Sequence, residues 1–268
     1  VKQYALAHNL PVLQPVKMKD PDFLAELESY HADLQVVVAF RMLPEVVWSM
    51  PRFGTFNMHA ALLPQYRGAA PINWAVINGE TETGVTTFFL DKDIDTGRII
   101  LSKTFAIPDD ANVEYVYDGL MALGADAAVE TVDAMLQGNG EVPSMDQAPL
   151  AEGTELKPAP KIFKETCQIA WNQSAKRVYD FVRGLSPYPG SWTTLAPSGA
   201  VLKVYGAAKT GEATQEAPGT ISVSGHRLLV ATADEWLELK EVQMAGKKRM
   251  PANAFLNGNR AIEESVCQ

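Results

Sequence analysis

The chain has 268 residues, with 23 basic and 32 acidic side chains and a net charge of −9, a length that suits one large or two medium domains. Apolar residues make up 47% and mean hydropathy is −0.07, which excludes a disordered or collagen-like chain; no apolar run of about 18 residues is present, which excludes a membrane-spanning helix. Cys167 and Cys267 lie far apart in the sequence and make no metal or disulfide framework; no secretory signal opens the chain, so a reducing, cytoplasmic setting is expected.

In chain order, residues 2–8 read as helical, and DPDFLAELESYHA reads as a helix with Asp20 or Asp22 near its cap. QVVVAF at 35–40 is a continuous β-branched run, the pattern of a strand buried on both faces. PEVVWSM predicts a short helix, FGTFNMH a second strand, AAPINWAVING a helix ending at Gly79, and VTTFFL and RIILSKTF further strands. Strands alternating with helices predict a mainly parallel α/β sheet. Residues 112–137 place Val116, Leu120, Leu123, Ala127, Val132 and Met135 at helical spacing, so a long amphipathic helix is expected.

The stretch 138–160 carries three Gly and four Pro with little periodicity and reads as a linker. Beyond it, a helical pattern at 173–184 precedes short alternating runs at Trp192–Leu195, Val201–Tyr205, Gly219–Val223, Arg227–Ala231 and Glu235–Val242. Gly, Pro and Asp turns divide them, which predicts a small β-barrel or sandwich. Charge divides at the same place. Residues 1–160 hold 10 basic and 22 acidic side chains, a net of −12, whereas residues 161–268 hold 13 and 10, a net of +3. An acidic total therefore hides a mildly basic second part.

Ligands of parallel α/β sheets bind beyond the carboxyl ends of the strands. FGTFNMH ends in Asn57 and His59, and positions i and i+2 of a strand share a face. An amide and an imidazole thus project together just before the loop ALLPQYRGAAP; the alternative is that local backbone groups satisfy both. LDKDIDTG at 90–97 offers Asp91, Asp93 and Asp95. A calcium loop starting at Asp91 would need Gly and Glu where the chain has Thr96 and Ser102, so the spacing rejects calcium. What remains is a solvated turn, or a loop with one inward carboxylate beside an imidazole.

FNMHAALLPQYRGAAPI, then TGVT, then DKDIDTG resembles the folate-dependent formyltransferases in motif, order and spacing. PKIFKETCQIAWNQSA, RGLSPYPGSW and AGKKRM carry the likeness to the carboxyl end, where it is strongest to the branch that formylates methionyl-initiator tRNA. The resemblance implies a Rossmann-like, mainly parallel catalytic domain over 1–137, a linker over 138–160 and an OB-like β-barrel over 161–268. It also implies that the catalytic domain is truncated at its start, because the family's usual first strand–loop–helix lies upstream of Val1.

The resemblance further implies a catalytic trio of Asn57, His59 and Asp95. Asn57 would donate to the developing oxyanion, His59 would move protons and Asp95 would orient the ring and support its charge. N10-formyltetrahydrofolate is the implied formyl donor, seated among Phe40, Arg41, Met42 and Leu43, among Ala61, Leu62, Leu63 and Pro64, and on Asp91, Lys92, Asp93 and Ile94. Without the resemblance, Leu62 and Leu63 read as core. Lys161, Lys164, Lys176, Arg177, Lys247, Lys248 and Arg249 are the implied tRNA-binding residues, the alternative being solvated basic turns. No metal and no membrane partner are implied, and the complete protein is expected to be a monomer. An amino-sugar formyltransferase, a formyltetrahydrofolate hydrolase and a non-catalytic RNA-binding protein are the rival readings.

Overall fold

The computed structural model describes residues 1–38 and 42–268. The chain begins with helices α1 (Lys2–Ala7) and α2 (Pro21–Ser29), strand β1 (Gln35–Val38), helix α3 (Glu45–Trp48) and strand β2 (Thr55–His59). Helix α4 (Pro71–Ile77), strands β3 (Glu82–Phe89) and β4 (Ile99–Ala106), the long helix α5 (Val113–Gln137) and the short α6 (Ala148–Ala151) follow. The remainder comprises helix α7 (Ala175–Leu185), strands β5 (Ser191–Ala196), β6 (Ala200–Ala213), β7 (Ile221–Ser224), β8 (Arg227–Ala231), β9 (Glu235–Met244) and β10 (Met250–Pro251), helix α8 (Ala252–Gly258) and strand β11 (Val266–Cys267).

Local chemistry accounts for several boundaries. Asp20 caps α2 by accepting from the amides of Asp22 and Phe23 at 3.0 and 3.3 Å, with Pro21 in the first turn. Ser174 caps α7. Gly79 closes the α4 segment at φ +73°, a backbone that glycine adopts without steric cost. Among the described residues no helix is long and apolar enough to cross a membrane.

Two compact units emerge. The first comprises residues 1–59, 86–102 and 124–153. Within it β1 and β2 pair in parallel, whereas β2 and β3 are antiparallel, so the four-stranded Rossmann-like sheet, in the order β1-β2-β3-β4, is mixed. The β-branched run at 35–38 is not buried on both faces: Val36 and Val38 are 44% and 51% exposed. β1 ends the strand order and only its Gln35 and Val37 side is partly covered.

The second unit comprises residues 60–85, 103–123 and 154–268. Its largest sheet runs β11-β5-β6-β9-β8-β7, and its two outer strands meet through a Thr220–Val266 bridge and the Cys267 amide donating to Gly219 O at 2.9 Å. Register shifts along β6 let that long strand curl, as a barrel requires. Leu202, Val204, Val230, Leu237, Leu239 and Phe255 fill the interior with α7 residues Val178 and Val182.

α7 also carries a buried ion pair, Arg183 Nε to Asp180 Oδ1 at 2.8 Å, and Arg183 donates to Ala111 O at 2.8 Å. Both side chains are nearly inaccessible, so removing one partner strands the other's charge. Asp180→Ala is expected to cost about 3–5 kcal/mol of stability, measured as a lowered urea midpoint at unchanged m.

Candidate active site

β2 has two chemically different faces. Phe56 and Met58 form one; Met58 lies opposite Thr87 and beneath Gly124 of α5, where a Cβ would stand 2.7 Å from the Met58 methyl carbon. Glycine at that point lets the helix approach, and the Thr87 and Thr131 hydroxyls hydrogen-bond at 2.8 Å on the same side. The opposite face presents Asn57 and His59 beside their cross-strand partners Phe88 and Thr86. His59 is 7% exposed, and its ring meets Phe88 edge-on with centroids 6.5 Å apart. His59 Nδ1 lies 3.8 Å from Asp95 Oδ2, within ion-pair range but longer than a hydrogen bond. Asn57 Oδ1 is buried and meets no hydrogen-bond donor among the described residues, which is uncommon for a buried amide.

Asp95 reaches His59 from the loop between β3 and β4, at φ +56°. Aspartate tolerates this left-handed conformation better than most residues. A Cβ at Gly97 would collide with Phe89 O, so only glycine lets the loop return to β4 there. The loop is also gripped from outside. Gln147, 3% exposed, donates through Nε2 to Asp95 O at 2.9 Å and Gly97 O at 2.8 Å. Ile99 and Met145 exchange two backbone hydrogen bonds of 2.8 Å, while Arg98 donates to Ser144 O and Oγ and to Asp146 Oδ1. Residues 144–147, expected to be linker, are therefore an ordered strap. No local pattern in the sequence marks Gln147.

A protein from Bacteroides fragilis named methionyl-tRNA formyltransferase is 56% identical over 267 residues, covering 98% of this chain and 82% of the relative. The chain belongs to the methionyl-tRNA formyltransferase family. Relatives of the same name from Parabacteroides distasonis and Flavobacterium johnsoniae are 56% and 46% identical, covering 98% and 99% of this chain and 82% and 83% of the relatives. The family pattern described as "Formyl transferase" matches residues 1–132, and "Formyl transferase, C-terminal domain" matches residues 161–260. Two solved structures share the fold. The sugar 3N-formyl transferase WlaRD aligns with TM-score 0.66 at 16% identity, over 92% of this chain and 82% of its own. HypX from Aquifex aeolicus, in complex with tetrahydrofolic acid, aligns with TM-score 0.63 at 20% identity, over 88% and 41%.

Of the other formyltransferase-like positions, Phe40 and Arg41 lie outside the described residues. Met42 is 76% exposed and Leu43 partly buried. Asp91, Lys92, Asp93 and Ile94 are exposed, whereas Ala61, Leu63 and Pro64 are buried and Leu62 is half-buried against Gly84. The loop after Pro64 is zipped to the end of the expected linker. Tyr66 N donates to Lys157 O at 2.7 Å, Ala159 N to Arg67 O at 2.9 Å and Ala69 N to Ala159 O at 2.8 Å. Glu80 locks this zip by accepting from Lys157 Nζ at 2.6 Å and from the Tyr66 hydroxyl.

Burial pushes the Glu80 carboxyl up, but hydrogen bonds from Lys157 and Tyr66 outweigh it and hold the group below its ordinary value of 4.5. A lowered carboxyl pKa adds stability that is complete above the unfolded value and is lost as pH falls through the folded one. Glu80→Gln is therefore expected to be destabilising at neutral pH, with the difference from the parent shrinking below about pH 4.5 in urea melts.

The seven basic residues fall into two kinds. Lys176 is held by Asp180 and Asp109, and Arg249 by Glu241 at 2.6 Å with its guanidinium 4.3 Å from the Tyr205 ring centre. Lys161, Lys164, Arg177, Lys247 and Lys248 are exposed, with Lys161 Nζ 5.3 Å from the Phe163 ring centre.

Proposed function

We propose that this chain transfers the formyl group of N10-formyltetrahydrofolate to the α-amino group of methionyl-initiator tRNA, for translation initiation. The observation that carries the reading is Asn57, His59 and Asp95 converging at one strand end, with the Asn57 amide oxygen buried and without a partner among the described residues. The folate derivative supplies an activated formyl carbon. The amine nitrogen bonds to that carbon, the bond from carbon to N10 breaks, the amine loses a proton and N10 gains one.

Each residue has a task in that exchange. Asn57 Nδ2 donates to the formyl oxygen as negative charge develops there, a contact worth roughly 3–4 kcal/mol in comparable sites. Asn57 Oδ1, which meets no hydrogen-bond donor among the described residues, is the acceptor assigned to an N–H of the incoming amine. His59 passes the proton from amine to leaving nitrogen, and Asp95, facing Nδ1 at 3.8 Å, fixes the ring and counters its charge while it holds the proton. Residues 40–43, 61–64 and 91–94 are the folate contacts that the family resemblance implies. Residues 161–268 form the tRNA-holding domain, with residues 1–137 catalytic and 138–160 joining them.

The relatives' names and the exposed Lys247–Lys248 loop favour tRNA over an amino sugar as acceptor. Incubation with N10-formyltetrahydrofolate and either methionyl-initiator tRNA or an amino-sugar nucleotide tests this. Formylmethionyl-tRNA is expected; formylation of the sugar alone overturns the acceptor, and folate hydrolysis without transfer overturns the reaction.

A further inference from the structure

We infer that Gln147 is a positioning residue for the formyl-transfer site: its buried amide holds Asp95 in the one backbone conformation that aims the carboxylate at His59. The inference deepens the proposed function and rests on Asp95 acting in it.

The geometry comes from three facts. Asp95 is in the left-handed region at φ +56°, a conformation that costs energy in a non-glycine residue, less for aspartate than for most, and that surrounding contacts help to hold. The Gln147 side chain is 3% exposed, and its Nε2 spans the turn, donating at 2.9 Å to Asp95 O and at 2.8 Å to Gly97 O. These carbonyls flank Thr96 on the carboxyl side of Asp95, so one amide group fixes the direction in which the chain leaves that residue. The strap bearing Gln147 is itself fixed by the Ile99–Met145 backbone pair and by Arg98 on Ser144 and Asp146.

Position matters here because His59 Nδ1 and Asp95 Oδ2 are already 3.8 Å apart. A small relaxation of the loop takes the carboxylate out of reach of the ring. The Gln147 side chain donates to the backbone of Asp95 and Gly97, so its contribution passes through the Asp95 loop.

Three variants of the full chain test this: Gln147→Leu, which removes the donor; Gln147→Glu, which keeps the shape but turns an acceptor towards two carbonyls; and Asp95→Asn as reference. Gln147→Leu is expected to lower kcat about 10- to 100-fold with KM for methionyl-tRNA within twofold of the parent, and Gln147→Glu more. The His59 ring resonances in a long-range nitrogen–proton NMR spectrum should move in the direction that Asp95→Asn moves them, a change that a merely structural role would not produce. Should Gln147→Leu not fold, Gln147→Asn, whose amide falls one methylene short of the carbonyls, takes its place with the same expectations.

If Asp95→Asn is inactive while Gln147→Leu turns over within twofold of the parent, the positioning role is wrong and the trio stands. A lowered kcat with unmoved His59 resonances likewise overturns it. A folded Asp95→Asn enzyme with near-normal turnover overturns the trio, and the role of Gln147 with it.

Discussion

Asn57→Ala, His59→Ala and Asp95→Ala are each expected to remove formyl transfer while the fold stays intact. For Asn57 the loss should be about 100- to 1,000-fold in kcat, the cost of one preorganised donor to a developing oxyanion. For His59 it should be about 100- to 10,000-fold, the range for a positioned proton carrier. These changes remove side chains at the end of β2 without touching its backbone pairing with β1 and β3. Asn57→Ala removes a buried amide whose oxygen has no partner among the described residues, so the usual penalty for breaking a buried hydrogen bond is absent on that side. Its melting temperature should stay within a few degrees of the parent. Single-turnover formylation of methionyl-tRNA, with circular dichroism as the folding control, checks all three. A folded Asp95→Ala protein that turns over near the parent rate would sink the assignment.

The chemistry of this site was legible in the sequence to the extent that it is local. Asn57 and His59 sit two apart on a strand, and a period of two puts them on one face whatever the rest of the fold does. Asp95 could be named as the inward carboxylate only through the family resemblance, because three aspartates alternate in LDKDIDTG; in the structure the left-handed turn and low exposure of Asp95 separate it from exposed Asp91 and Asp93. Gln147 could not be read at all. Its two acceptors lie 52 and 50 residues away, and Gly- and Pro-rich flanks hide its order.

The same distinction between local and long-range signals explains the fold. Asp20 and Pro21 announce the start of α2 because a cap is a contact within one turn. The β-branched run at β1 announces a strand but not its neighbours, which are set by pairing distant in sequence, so Val36 and Val38 prove exposed. Antiparallel pairing of β2 with β3 is likewise a matter of topology. The stretch 138–160 reads as a linker because its partners, Ile99, Asp95, Arg67 and Glu80, are all far upstream. Low periodicity shows that a segment forms no regular element; it does not show that its backbone is unsatisfied.

Replacing Lys247, Lys248 and Arg249 together by uncharged residues is expected to weaken tRNA binding and to flatten its salt dependence. The structure narrows the size of the effect. Arg249 is bound to Glu241 and lies against Tyr205, and Tyr205 Oη donates to Gln243 Oε1, whose Nε2 donates to Lys247 O at 2.7 Å. These contacts frame the loop at both ends, leaving Lys247 and Lys248 exposed at its tip, with no carboxylate within 4.0 Å of either among the described residues. A cation already paired within the protein releases little from the counterion atmosphere of a nucleic acid, whereas each lysine that meets a phosphate contributes roughly 0.7–0.9 to the slope of log K against log salt. The triple variant should therefore lose about 1.4–1.8 from that slope, and Arg249→Gln alone far less. Lys176→Gln should change it little as well, because Asp180 and Asp109 already hold that ammonium. Filter binding of methionyl-tRNA across a salt series reads these slopes directly; an unchanged slope and affinity in the triple variant would place the tRNA on a different surface.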